Sequence, residues 1–170
     1  TGETMAIGRT FQEALGKAFR SLEVRFPKAL DDDASRPSAL RVLKLREFLK
    51  SKSVGEVSKA SKINEWFLEK INLRTEVETE LRKNGLARGL LLKAKKAGFT
   101  DSWISQVTGF SVENIRLQRE KERILPVFKM VDTCAAEFEA LTPYYYSTYE
   151  QENEAVANSG RKKIIILGSG

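Results

Sequence analysis

Residues 98–119, "GFTDSWISQVTGFSVENIRLQR", contain the pattern that decides the fold. Thr100 or Asp101 can cap a first helix, Gly109 suits the turn that follows, and Ser111 can cap a second helix. Apolar residues recur at helical spacing on both sides of the turn. The stretch therefore predicts a helix-turn-helix arrangement, which occurs both in DNA-binding domains and in units that serve only for packing.

The same pattern occurs a second time, earlier in the chain. Residues 53–68, "SVGEVSKASKINEWFL", align with residues 100–115, "TDSWISQVTGFSVENI". Apolar positions pair with apolar ones and a cap pairs with a cap: Val57 with Ile104, Ala60 with Val107, Asn64 with Ser111 and Leu68 with Ile115. Trp66 and Phe67 begin the second helix of the first copy, where a helix that reads DNA usually presents polar side chains. We therefore interpret both copies as helical hairpins built for packing.

Further amphipathic helices surround these hairpins. Hydrophobic periodicity predicts them over 10–23, 39–51, 54–60, 64–83 and 86–98. Thr10 and Glu13 have the spacing of a capping box, and Gly85 is suited to end the 64–83 helix. That helix is expected to line its buried face with four apolar side chains: Trp66, Phe67, Ile71 and Leu81.

Between the first two helices, residues 24–38 carry two prolines, no periodicity and the acidic run Asp31–Asp33. They predict a loop and a domain boundary. Three adjacent aspartates could suggest a cation site, but solvated loop acids or a helix N-terminus explain such a run more simply.

The character of the sequence changes after residue 124. Residues 124–150 hold two prolines and a tyrosine cluster, Tyr144, Tyr145, Tyr146 and Tyr149, and predict an extended segment that buries its rings against a protein surface. Residues 151–163 read as a polar linker, and "IIIL" at 164–167 reads as a buried parallel strand. Gly168 and Gly170 have the spacing that opens a phosphate-binding turn, so we expect an α/β domain to begin here and to be truncated.

Composition excludes several classes of protein. The chain has 170 residues, 41% of them hydrophobic, which suits one packed domain with pieces of its neighbours. It has no histidine and one cysteine, so neither a Cys–His pair nor a zinc site can be assembled, and a reducing compartment is expected. No apolar run is long enough to cross a membrane, and no signal peptide is visible.

Three groups of residues are candidates for a binding or catalytic role. The net charge of +6 permits nucleic-acid binding, for which Arg116 and Arg119 are the candidate contacts, although a solvated helical face is the simpler interpretation. Asp132, Cys134 and Glu137 lie close together, but a small buried cysteine beside acids that fix the backbone explains them better than catalysis. The tyrosine cluster could stack nucleic-acid bases, but burial is favoured.

Several stretches, in this order, resemble one known family: "GETMAIGRTFQEALGKAFRSLE" (2–23), "INEWFLEKI" (63–71), "AKKAGFTDSWIS" (94–105), "PVFKMVDTCAAEFEALTPYYYSTYE" (126–150) and "KKIIILGSG" (162–170). Together they look like the middle of the large subunit of carbamoyl phosphate synthetase, over nearly the whole chain. Three positions differ from what family members often carry: Ser169 stands where many have Gly, Phe128 where many have Tyr, and Met130 where many have Arg.

The resemblance implies a domain plan. Residues 1–23 would end the carboxyphosphate-forming half, 24–155 would form a helical oligomerisation or connection domain, and 156–170 would begin the carbamoyl-phosphate-forming half. Residues 143–149 would cross between the helical domain and its neighbours. The expected fold is mostly α: an irregular array of short helices with two helix-turn-helix-like hairpins, then an extended aromatic segment and one orphan β-strand.

The resemblance also implies the function. The parent would be an ATP-dependent C–N ligase that makes carbamoyl phosphate from bicarbonate, glutamine-derived ammonia and two ATP, for pyrimidine or arginine synthesis. It would use ATP with Mg or Mn, and K, and would partner a glutamine amidotransferase, in the cytoplasm or in an organelle. This segment would self-associate and contact the flanking halves, with no catalytic, cofactor-binding or metal residues of its own, no specific nucleic acid and no membrane. The rival hypothesis is a free-standing basic helical adaptor that binds nucleic acid or an acidic protein.

Overall fold

A computed structural model describes residues 4–22, 35–38, 41–87, 89–141, 144–155, 160 and 162–168. These residues form seven helices: α1 (Phe11–Ser21), α2 (Arg41–Phe48), α3 (Val54–Ser61), α4 (Glu65–Asn84), α5 (Leu90–Lys96), α6 (Asp101–Thr108) and α7 (Val112–Lys121). Two strands follow, β1 (Val127–Met130) and β2 (Tyr145–Thr148). The prediction of a mostly helical chain is confirmed. No helix in the described ranges is long and apolar enough to cross a membrane.

The predicted helix ends are confirmed by their hydrogen bonds. The hydroxyl of Thr100 accepts the backbone N–H of Trp103 at 3.1 Å, and that of Ser111 accepts the N–H of Asn114 at 3.2 Å. Gly85 ends α4 with a positive φ of 61°. Side-chain caps satisfy backbone N–H groups that a helix leaves without partners, so α6 and α7 begin where their capping residues stand.

The internal repeat is present in three dimensions. Hairpins α3–α4 and α6–α7 each bring an apolar pair into the interior, Val57 with Leu68 in the first and Ile104 with Ile115 in the second. The turns match as well, because each begins with a residue in the left-handed region, Lys62 (φ 59°) and Gly109 (φ 78°). The four interior side chains are at most 1% exposed, so the matching positions form the packing faces of both hairpins.

The long helix α4 joins two hydrophobic clusters. Its first half contributes Leu68 and Ile71 to a cluster with α2 and α3. Its second half contributes Val77 and Leu81 to a cluster with α5, α6 and α7. The molecule is therefore organised around α4, with α2 and α3 packed on its first half and α5, α6 and α7 on its second half.

Four apolar side chains were predicted to be buried on α4, and the prediction is half right. Ile71 and Leu81 are buried, whereas Trp66 and Phe67 are 47% and 44% exposed. Both rings pack edge-on against Phe11 of α1, with centroids 5.5 and 5.6 Å away. The first turn of α4 lies at the edge of the hairpin, so α1 covers only part of these rings.

The aromatic segment folds differently from the prediction. Instead of one extended stretch, β1 and β2 pair antiparallel, with Val127 opposite Thr148 and Met130 opposite Tyr145. Tyr144 and Tyr145 are 60% and 44% exposed, so the rings are not all buried as expected. The backbone pairing holds the segment in place without complete ring burial.

The predicted strand at residues 164–167 forms no ladder with any strand of the described chain. Its four side chains, Ile164, Ile165, Ile166 and Leu167, are between 83% and 92% exposed. A strand needs a neighbouring strand to satisfy its backbone groups. Most of the predicted 24–38 loop, with Asp31–Asp33, and Gly170 of the predicted glycine turn lie outside the described residues.

Candidate functional site

The two arginines considered as DNA contacts, Arg116 and Arg119, are held in ion pairs. Arg119 lies in α7 and forms a two-pronged contact with Asp101 at the start of α6, with Nε–Oδ2 at 3.0 Å and Nη2–Oδ2 at 2.7 Å. Only 13% of the Arg119 side chain is exposed. Arg116 is exposed but pairs with Glu113 at 2.8 Å. The stretch that suggested a DNA reader therefore uses Arg119 to fasten its own two helices together.

Asp101 is the centre of this contact because Lys95 also binds it, with Nζ–Oδ1 at 2.7 Å. Burial of the Asp101 carboxyl opposes its ionisation, but the hydrogen bonds from Arg119 and Lys95 outweigh that effect and lower its pKa. Burial lowers the pKa of Lys95. The Lys95 ammonium also lies 5.2 Å from the centre of the Tyr149 ring, so the cluster reaches the segment after β2.

Asp132, but not Glu137, is seen to bind backbone groups near Cys134, and Cys134 itself is partly exposed instead of buried as predicted. Asp132 accepts the backbone N–H of Cys134 at 2.9 Å and also that of Ala136. Ala135 and Ala136 both have positive φ, 52° and 60°. The arrangement matches the structural interpretation of Asp132, and in the described part of the chain no group of three metal-ligating side chains occurs.

The tyrosine cluster does not form a stacking platform. Tyr144 and Tyr145 face solvent, whereas Tyr146 and Tyr149 are partly buried and each lies beside a lysine. The Lys17 ammonium is 5.5 Å from the centre of the Tyr146 ring. The rings are thus divided between surface positions and contacts with the helical body.

A buried carboxylate joins the first helix to the last strand. Glu13 of α1 is 3% exposed, and its Oε2 accepts the hydroxyl of Thr148 in β2 at 3.0 Å. The same oxygen accepts the backbone N–H of Arg9 at 2.9 Å, and Lys17 Nζ lies 2.9 Å from Oε1. We call these four residues the Glu13 clasp. The predicted capping box is therefore only half formed, because Thr10 caps the helix while the Glu13 carboxylate turns to the clasp.

Sequence reasoning missed the clasp because Glu13 and Thr148 lie 135 residues apart, and no local spacing reveals such a pair. One signal was present: Glu13 lies beside apolar residues in a helix whose stripe should be buried. A buried glutamate requires donors, so its position could have prompted a search for distant hydroxyl or ammonium partners.

A cavity of about 200 Å³ opens between α1, α2, α4 and the loop that leads into α6. Its walls are mostly apolar, with Leu15, Phe19, Val42, Leu43, Ile71 and Phe99 among them. Three arginines and one carboxylate also line it, namely Arg20, Arg46, Arg74 and Glu78. Burial lowers the pKa of Arg74 to about 10.

Comparison with known proteins identifies the family of the chain. Residues 3–123 match the model described as "Carbamoyl-phosphate synthetase large chain, oligomerisation domain". A carbamoyl phosphate synthase large chain from Thermotoga neapolitana is 48% identical over 99% of this chain and 16% of the relative. The same-named protein from Methanosarcina barkeri is 45% identical over all of this chain and 17% of the relative. The chain thus spans about a sixth of the length of these relatives, and it belongs to the family of the carbamoyl-phosphate synthetase large-chain oligomerisation domain.

Proposed function

We propose that this domain self-associates and holds two ATP-dependent synthetase halves of a carbamoyl phosphate synthase large chain in fixed relation. The family match carries the proposal. The Glu13 clasp supports it, because α1 and β2 lie far apart in the chain and are joined by a buried hydrogen bond. In the proposed plan, residues 1–23 end the first half and 156–170 begin the second, so the clasp joins the end of the first half to the connector shortly before the second half begins.

The chemistry proposed for the whole protein is the synthesis of carbamoyl phosphate from bicarbonate, glutamine-derived ammonia and two ATP. ATP with Mg or Mn, and K, would bind in the flanking halves, and a glutamine amidotransferase would supply ammonia. This domain would contribute geometry, because carbamate is unstable and must pass between sites without reaching bulk water. The absence of catalytic residues in this segment stays a prediction, as do the domain boundaries and the cytoplasmic location.

The connecting role is tested in the full-length large chain with Glu13→Gln and Thr148→Val. Thr148→Val removes the hydroxyl donor and leaves the Glu13 oxygen with one partner fewer, whereas Glu13→Gln removes the negative charge and replaces one acceptor oxygen by an amide group that cannot accept from Lys17. We expect more ATP to be consumed for each carbamoyl phosphate formed, because the two halves lose their fixed relation and more carbamate is hydrolysed. Glu113→Gln, at an exposed ion pair in α7, is the matched control and should leave the ratio unchanged. An unchanged ratio in the two clasp variants would contradict the connecting role.

Self-association is tested with the 170-residue chain by sedimentation velocity over a concentration series. The exposed residues 164–167 could cause non-specific association through apolar contact. The double variant Ile165→Ser, Leu167→Ser reduces that contribution by replacing two of the four exposed apolar side chains. We expect the variant to keep a defined oligomer that dissociates on dilution, whereas a monomer at every concentration would exclude self-association by this domain.

The adaptor hypothesis is not favoured, because Arg119 is engaged with Asp101. We expect any DNA affinity to be weak, non-specific and sensitive to salt. After charge reversal at Arg116 and Arg119, any DNA affinity should still be non-specific and sensitive to salt. Sequence-selective binding at physiological salt, measured by fluorescence anisotropy, would restore the adaptor hypothesis.

A further inference from the structure

The ribbon formed by β1 and β2 has one buried face and one exposed apolar face. On the inner face, Lys129 and Thr148 are 7% and 2% exposed, and Thr148 contacts α1. Side chains alternate between the two faces of a strand, so Phe128, Met130 and Tyr145 lie together on the outer face, with Met130 directly opposite Tyr145. These three side chains are 45%, 40% and 44% exposed. We call them the ribbon face, and it points away from α1.

The loop that joins the two strands also exposes large apolar side chains. Phe138 and Leu141 are 76% and 87% exposed. The backbone before them is constrained, because Ala135 and Ala136 both have positive φ and Asp132 accepts the N–H of Ala136. Strained backbone persists only where its surroundings fix it, and such strain is concentrated at functional sites. Since exposed apolar patches mark sites of interaction, this side of the ribbon is a candidate contact surface.

The chain after β2 returns to β1 and is fixed there. The N–H of Glu154 donates to the carbonyl oxygen of Phe128 at 2.8 Å, and the Glu154 carboxylate accepts the N–H of Met130 at 2.7 Å. In the proposed plan, the second synthetase half begins at residue 156, directly after this anchor. Even a fully extended chain places residue 164, the predicted start of the first strand of that half, at most about 35 Å from Glu154. The second half is therefore tethered at the edge of the ribbon.

This tether favours the second half over two other occupants of the ribbon face. A short linker gives the domain that it carries an effective concentration in the millimolar range, so the second half occupies the face before a second copy of the chain does. The first half would end with α1, and α1 lies on the inner side of the ribbon, at Thr148. The outer face is therefore left for the half that follows.

We propose that the ribbon face, together with Phe138, docks against an apolar surface of the second synthetase half. This inference rests on the proposed function, because it takes the second half to follow residue 155. The inner face of the ribbon holds α1 through Thr148, and the outer face holds the second half. The two strands are then a spacer with one synthetase half on each side, which fixes the position of one half relative to the other.

Photo-cross-linking in the full-length large chain tests this placement. Tyr145→p-benzoylphenylalanine puts a photoreactive ring on the ribbon face and keeps an aromatic side chain there. Illumination should join this ring to a peptide of the same chain that lies beyond residue 170, outside the tether. Because the contact is intramolecular, roughly tenfold dilution should leave the yield unchanged. Leu117→p-benzoylphenylalanine, at a side chain of α7 that is 51% exposed, is the control and should not join to that peptide.

Removal of apolar side chains from the ribbon face gives a second measurement. The double variant Phe128→Thr, Met130→Thr introduces residues that favour strands and removes two apolar contacts. Because both side chains are exposed, the thermal midpoint of the 170-residue chain should change by no more than about 2 °C. In the full-length chain with the photoreactive ring at position 145, the double variant should lower the cross-link yield at least about threefold. Leu117→Thr should leave that yield unchanged.

Four results would overturn the proposal: a cross-linked peptide that precedes α1, a cross-link to a second chain, no cross-link at position 145, or an unchanged yield in the double variant. The connecting role is judged separately, by the ATP consumed for each carbamoyl phosphate in the Glu13 clasp variants. A cross-link to the second half with an unchanged ATP ratio contradicts the connecting role alone. A raised ratio without that cross-link contradicts the docking alone.

Discussion

Arg74 joins three parts of the chain through one side chain. From α4, its Nη1 donates to the carbonyl oxygens of Gln12 in α1 and Ala97 after α5, both at 2.9 Å. The guanidinium passes directly beneath Gly16, where a Cβ atom would contact Arg74 and would lie 2.8 Å from the carbonyl oxygen of Gly98. Glycine at position 16 therefore makes room for the contact that holds α1 in place.

Gly16→Ala should destabilise the chain although alanine favours helix formation. The added methyl group overlaps a buried guanidinium and a backbone oxygen, and overpacking of this kind costs about 1–3 kcal/mol. Gly55→Ala in α3 is the control, because its Cβ meets nothing closer than 3.6 Å. That change should stabilise the chain by about 0.5 kcal/mol. Urea unfolding compares the two, and a stabilising Gly16→Ala would contradict the packing argument.

The Asp101 carboxylate links stability to pH. Its pKa is below the ordinary value of 3.8 because hydrogen bonds from Arg119 and Lys95 overcome the effect of burial. A group with a lowered folded-state pKa stabilises the protein above its unfolded-state pKa and loses that contribution as pH falls through the folded-state pKa. The free energy of unfolding should therefore decrease as pH falls below about 4.

Asp101→Asn removes the titrating carboxyl group. The free energy of unfolding of this variant should therefore decrease less at acid pH than that of the original chain. Asp132→Asn, at an exposed aspartate bonded to neighbouring backbone groups, is the comparison variant. Thermal unfolding between pH 3 and 7, roughly the range around the ordinary aspartate pKa, measures both. If Asp101→Asn and the original chain lose the same stability at acid pH, the Asp101 contacts do not contribute to the pH dependence.

At the scale of secondary-structure elements, the two hairpins differ where their turns begin. Lys62 and Gly109 both have positive φ, and each N–H donates to the carbonyl four residues earlier at 2.8 Å. A residue with a side chain is strained in this conformation, whereas glycine is not. The turn of the second hairpin is therefore less strained than that of the first, because it has glycine where the first has lysine.

Exchange of residue types between the two turns should change stability in opposite directions. Lys62→Gly should stabilise the chain by about 0.5–1 kcal/mol, after allowance for the greater freedom of glycine in the unfolded chain. Gly109→Ala should destabilise it by about 1 kcal/mol, and since nothing lies within 4 Å of the added Cβ, the cost is backbone strain alone. Chemical denaturation measures both, and effects of the same sign would contradict the equivalence of the turns.

The elements that could be predicted are those whose signals are local. Helix caps such as Thr100 and Ser111, the stop at Gly85 and the repeated apolar positions are read directly from neighbouring residues. The exposure of Trp66 and Phe67 could not be predicted from the sequence, because it depends on how much of the first turn of α4 is covered by the distant helix α1. The pairing of β1 with β2, across a separation of more than a dozen residues, is non-local in the same sense.

The candidate sites follow the same rule. Asp132 was interpreted correctly from its neighbours, since its hydrogen bonds reach only two and four residues along the chain. The role of Arg119 depends on Asp101, which lies in another helix. Trp103 was placed correctly in a helix, but its contact with Arg46 of α2, whose guanidinium carbon lies 5.0 Å from the ring centre, depends on a distant helix.

At the scale of the whole molecule, α4 makes the two hydrophobic clusters interdependent. Leu45 is 1% exposed in the first cluster and Leu81 is fully buried in the second. Each cluster needs its own half of α4 to remain helical, and a helix lost in one half loses its support in the other. The two hairpins should therefore unfold as one unit.

Leu45→Ala and Leu81→Ala should each destabilise the chain by about 2–5 kcal/mol. Native-state hydrogen exchange should show lower protection in both clusters for either variant, because unfolding is shared through α4. Leu117→Ala, at a side chain 51% exposed, should leave protection in both clusters unchanged. A loss of protection confined to the mutated cluster would show that the hairpins open independently.

The Glu13 clasp also determines how the domain responds to force. Tension applied between the segments before α1 and after β2 reaches Glu13 and Thr148 before it reaches the residues between them. While that contact holds, the chain from α2 to β1 forms a closed loop that carries little of the load. The helical body is thereby shielded from mechanical strain, and in a pulling experiment rupture of the clasp should precede extension of the helices.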